Sequence, residues 1–137
     1  MVYERVRTLT LPLVNQITNT YDIYADQPID GRIIKVQWNH PGAGIGPSGG
    51  GSCLIMVSGT SGTVYGVPEQ ILYINDVFGS SWRRYPLTYC TDSAGAQFTN
   101  GSQTTQFVCR DSLIRIIGSG MALAAGSNCG KFIIHYY

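Results

Sequence analysis

Hydrophobic and polar positions alternate with a period of two along most of this chain. Between Arg5 and Val14, Leu9, Leu11 and Leu13 alternate with Thr8, Thr10 and Pro12, which puts the leucines on one face of a strand. Pro12 cannot donate to a ladder, so this strand is expected at a sheet edge or paired with another chain. Over Thr20 to Ala25, Tyr21 and Ile23 alternate with Asp22 and Tyr24, and Asp26 to Gly31 then has turn composition. Arg32 to His40 sets Ile34, Val36 and Trp38 against Lys35, Gln37 and Asn39, the clearest half-buried strand in the sequence. Cys53 to Ser58 is apolar on both faces, as in a strand inside a sandwich.

The second half continues the rhythm. Val67 to Phe78 has apolar residues at helical spacing, but Ile71 to Ile74 is a β-forming run between turn signals, and a strand is the favoured reading. Strands are further predicted over Arg84 to Cys90, where Tyr85, Leu87 and Tyr89 share a face, over Thr104 to Cys109 and Ser112 to Ile117, and over Lys131 to Tyr137. Met121 to Ala125 has helix propensity, yet five residues between glycines cannot sustain a helix. Residues 41–52 hold six glycines and two prolines, which predicts a long loop suited to function or subunit contact. The pattern therefore predicts a single all-β domain over residues 1–137, a jelly-roll-like β-sandwich or barrel of eight or nine short strands. Residues 1–14 form its arm or edge strand.

Composition narrows the function classes. The chain has 137 residues, 44% hydrophobic and 12% charged, enough for a core and too apolar for disorder. Nine Lys and Arg face eight Asp and Glu, so the overall balance predicts no basic face for nucleic acid. No run approaches a membrane span, and Met1 to Arg7 lacks the apolar block of a secretory signal, so the expectation is a soluble protein made without a leader.

Candidate chemistry is sparse. Cys53, Cys90, Cys109 and Cys129 are too widely spaced for a zinc knuckle or redox pair, which leaves buried thiols or disulfides of open connectivity. His40 and His135 have no ligand partners at metal spacing. Gly44 to Gly49 and Gly46 to Gly50 match phosphate-loop and nucleophile-elbow patterns, but Pro47 and the triple glycine that follows oppose the helix both require. Asp22, Asp26 and Asp30 lack the dense oxygen spacing of a calcium loop, and Asn100 to Ser102 is a sequon read as a turn. No acid, base or nucleophile set assembles, so the expectation is a protein without enzymatic activity, cofactor or metal.

The segment Ser81-Trp82-Arg83-Arg84-Tyr85-Pro86 groups aromatic and arginine side chains, the residue types enriched in interface hot spots. Together with Thr20 to Trp38, Leu54 to Thr60, Asp111 to Ile117 and Lys131 to Tyr137, it gives a strand rhythm that resembles small all-β structural proteins of tailed viruses (bacteriophages), in particular capsid decoration, or cement, proteins. The resemblance implies a homotrimeric subunit clamping the major capsid protein at the virion surface, made in the host cytoplasm, with no catalytic residues. The interface candidates are Val2, Tyr3, Arg5, Arg7 and Leu9 in the arm and Trp82, Arg83, Arg84 and Tyr85 in the aromatic segment. The alternative class is a carbohydrate-binding or receptor-binding sandwich at a tail or spike tip, with Trp38, Trp82 and exposed tyrosines stacking on a glycan.

Overall fold

A computed structural model describes residues 5–13, 20–42, 51–59, 69–75, 80–89, 93–94, 96, 104–119 and 130–137. Among them are ten strands and no helix: β1 (Arg7–Leu13), β2 (Tyr21–Tyr24), β3 (Ile29–Asn39), β4 (Ser52–Gly59), β5 (Glu69–Asn75), β6 (Trp82–Arg84), β7 (Leu87–Tyr89), β8 (Thr104–Gln106), β9 (Val108–Ser119) and β10 (Gly130–Tyr136). All pairings are antiparallel. β1, β10, β3 and β6 lie side by side as sheet A, and β2, β9, β4 and β5 as sheet B. The pairs nest, first strand with last, second with next to last, and so inward to β4 with β5. That nesting is the order of a jelly roll, with the β7–β8 ribbon as an excursion between β6 and β9.

Two long strands hold the sheets together. Residues 29–32 of β3 pair with β9, and residues 33–39 pair with β10, so the chain changes sheets within one strand. Gly31, at φ 135°, sits at that bend, where Arg32 and Tyr137 exchange backbone hydrogen bonds of 2.7 and 3.0 Å. β9 bends at Asp111, whose φ of 47° is held by a 2.7 Å bond from its N–H to the Asp30 carboxylate. The predicted strands 104–109 and 112–117 thus become a short β8 and a continuous β9. Among the described residues, β1, β6, β2 and β5 are edge strands of sheets A and B, as in an open sandwich and not a closed barrel.

Inward residues from both sheets form one core. Leu9, Leu11, Leu13, Val36, Trp38, Phe132 and Ile134 face Tyr21, Cys53, Ile55, Ile71, Ile114 and Ile116. Trp38 and Phe132 stack at 4.7 Å between centroids, and Tyr21 approaches Phe132 from the other sheet at 6.4 Å. β10 begins at glycine because a Cβ at residue 130 would stand 2.3 Å from the Trp38 ring. Register shifts also occur between Ile29 and Gly31 and between Ile55 and Met56, and the one between His135 and Tyr136 brings Ile33 into the core and leaves Ile34 half-buried. Leu9, an expected contact residue, is a core residue. The period-two pattern that defines its strand turns it inward.

Candidate functional site

The strands of sheet B are apolar on both faces. While Cys53, Ile55, Ile114 and Ile116 point inward, Leu54 lies opposite Ile117 and Tyr73, and Met56 lies opposite Arg115, all on the outward face. Tyr73 is 57% exposed and Tyr24 53%. Among the described residues a single ion pair crosses this surface: Arg115 grips Asp22 through Nε at 2.9 Å and Nη2 at 2.6 Å, and its guanidinium covers the Tyr24 ring at 5.1 Å. The bidentate bond holds the Asp22 carboxyl below its ordinary range and raises Arg115. The middle of the face is therefore apolar and aromatic with its charges paired, and Ser52, Gln70, Asn75 and Ser119 border it.

Sheet A presents the opposite character. Lys35, Arg83 and Lys131 stand on its outward face, Arg7 and Arg84 at its margins, and β1, β6, β10 and residues 33–39 carry no carboxylate. Arg84 covers Trp82 at 5.6 Å. His135 lies between Thr8 and Lys35, with a buried Nε2 that has no hydrogen-bond partner. Burial, then the Lys35 charge, lowers its pKa. At the Lys131 end a cavity of about 310 Å³ is lined by Asn39, His40, Pro41, Ser81, Gly130 and Lys131. There the His40 N–H donates to Ser81 Oγ at 2.9 Å, and the Gly42 N–H donates to His40 Nδ1 at 3.0 Å.

The predicted interface residues separate on inspection. Arg5, Arg7, Arg83, Arg84 and Tyr85 are exposed, whereas Trp82 packs against the core. Val2 and Tyr3 lie outside the described residues. Tyr85, Leu87 and Tyr89, which share a face in the sequence pattern, are exposed, Tyr85 at 60%, while Pro86 is buried. Trp38 has no exposed surface, so it cannot stack on a glycan.

The two described cysteines, Cys53 and Cys109, are separated by the fold. Cys53 is a buried free thiol opposite Gly118, and Cys109 is buried at the other end of β9, opposite Gly31. Burial pushes the Cys53 thiol up to about 12, too high for a nucleophile at neutral pH. Cys90 and Cys129, the glycine-loop motifs and the sequon fall outside the described residues. Asp22 is engaged by Arg115 and Asp30 by the Asp111 amide, so the three aspartates do not converge. No cluster of metal-ligating side chains occurs among the described residues.

Sequence reasoning missed the outward patch made by the exposed Tyr73 with the half-buried Leu54, Met56 and Ile117. The signal for Leu54 and Met56 is the two-faced apolarity of Cys53 to Ser58, which also fits a strand inside a sandwich. No protein-family model, curated protein or solved structure matches this chain.

Proposed function

We propose that this protein is a structural subunit of a virus particle, of the capsid decoration type, held to its neighbours through the outward face of sheet B. The observation that carries the reading is the face itself: Leu54, Met56, Tyr73 and Ile117, with one self-paired ion pair, on a sheet whose other side already fills the core. A sheet covered on both faces is apolar on both, whereas an antiparallel sheet with one wet face alternates. Jelly rolls recur in viral capsid and lectin domains, which gives the class its context. The glycan-binding alternative is the weaker one, because one of its two indoles is buried and the other packs on the core.

Sedimentation of the purified chain across a concentration series tests this. Association to trimers or larger species is expected, with Leu54→Lys/Ile117→Lys monomeric at every concentration and equally folded. A wild-type chain that stays monomeric, or a double variant that assembles equally well, overturns the role of this face.

A further inference from the structure

The net charge of +1 conceals a division of charge between the sheets. Five of the nine Lys and Arg residues (Arg7, Lys35, Arg83, Arg84 and Lys131) fall on β1, β6, β10 and the half of β3 that pairs with β10, and none of the eight carboxylates does. The remainder of the chain is correspondingly acidic. This separation is invisible in the composition, since the four strands are far apart in sequence and meet only through the jelly-roll order.

We propose that the outward face of sheet A binds the sugar-phosphate backbone of a single-stranded nucleic acid, through Lys35, Arg83 and Lys131. The register fixes their spacing. Arg83 lies beside Gln37, two residues along β3 from Lys35, and Lys131 lies beside Asn39, two residues further. With strands about 4.8 Å apart and residues about 3.3 Å apart along them, the three cations form a triangle with sides of about 8 to 14 Å. That reach lets each cation meet a different phosphate of one strand.

Between the charges lie neutral donors together with Ile133, beside Gln37, and His135, beside Lys35. Thr8, Thr10, Gln37 and Asn39 share the face, and the cavity beside Lys131 adds the Ser81 hydroxyl, which accepts from the His40 amide and can donate its own proton to a phosphate oxygen. An acidic protein segment is the competing occupant. The absence of carboxylates from β1, β6, β10 and residues 33–39 favours a repeating polyanion, which is negative at every repeat, whereas a folded acidic protein presents charges of both signs. The surface lies on the opposite sheet from the assembly face, so the two readings stand or fall separately.

Fluorescence anisotropy of a labelled oligothymidylate titrated with the full chain is the test. Binding at low salt is expected, with log affinity falling against log salt at a slope of about −2, the value for three phosphates neutralised on a single strand. Lys35→Gln/Arg83→Gln/Lys131→Gln should weaken binding at least tenfold with unchanged circular dichroism and thermal midpoint. The milder Arg83→Gln/Lys131→Gln keeps the test valid if the triple variant misfolds, and Arg32→Gln/Arg110→Gln, outside this face, should bind as the wild type does. Absence of binding at low salt, undiminished binding by the double variant, or tighter binding of polyglutamate than of the oligonucleotide overturns the proposal.

Discussion

Tyr21 is the most constrained side chain between the two sheets. Its ring packs towards Phe132, and its buried hydroxyl, next to the Cys53 thiol, makes no well-formed hydrogen bond. Burial raises the pKa of the phenol far above its ordinary value, so it stays protonated. An unsatisfied buried hydroxyl costs about 1–3 kcal/mol, so Tyr21→Phe should stabilise the protein by roughly 1 kcal/mol, measured by urea denaturation. Gly118→Ala should act in the opposite direction. Its Cβ would stand 2.0 Å from the Tyr21 ring, an overlap that no rotamer of alanine relieves, and overpacking of this kind costs about 1–3 kcal/mol. Alternation alone made Tyr21 legible as an inward residue. The need for glycine at residue 118 was not legible, because it arises from a ring on β2, nearly a hundred positions earlier in the chain.

At the scale of strands, local pattern was a reliable guide where one face meets the core and a poor one where it does not. β1, β2 and β10 alternate as their sequences predict, and Pro12 lies on an edge strand as its missing donor requires. Tyr85, Leu87 and Tyr89 also alternate, yet the ribbon turns them to solvent, since periodicity defines a face without saying what that face meets. The pairing of β10 with β3 supplies a titration test that neither strand contains alone. His135 has Lys35 opposite it on β3 and Thr8 on β1, and its folded pKa lies below the ordinary 6.5. Between the folded and unfolded values the unfolded chain binds more protons. Stability from this group is therefore unaffected above about pH 6.5, falls as the pH drops below it, and levels off beneath the folded value. Urea midpoints followed from about pH 7.5 to about pH 5 should show this fall, and His135→Gln should remove the part due to this residue.

At the scale of the whole molecule, the first and last described strands meet in one sheet. β1 pairs along its full length with β10, from Arg7 with Tyr136 to Leu13 with Gly130, so sheet A is complete only when the last strand has joined the first. Composition could suggest a jelly roll but not this division of labour, in which one outward face is apolar and the other cationic. Each face is assembled from segments separated by long stretches of chain. The same pairing separates stability from assembly at the N-terminus. The ladder begins at Arg7 and the first buried side chain of β1 is Leu9, while Arg5 and Val6 are exposed. Because the described ladder begins only at Arg7 and Arg5 and Val6 are exposed, removal of residues 1–6 should leave the thermal midpoint within about 2 °C of wild type. If the arm contacts neighbouring subunits, as the exposed edge of β1 favours, the same truncation should lower the assembled fraction in sedimentation. An unchanged midpoint with unchanged assembly would remove the arm from the interface and leave the sheet B face to hold the subunits. A collapse of the midpoint would show that residues 1–6 belong to the fold.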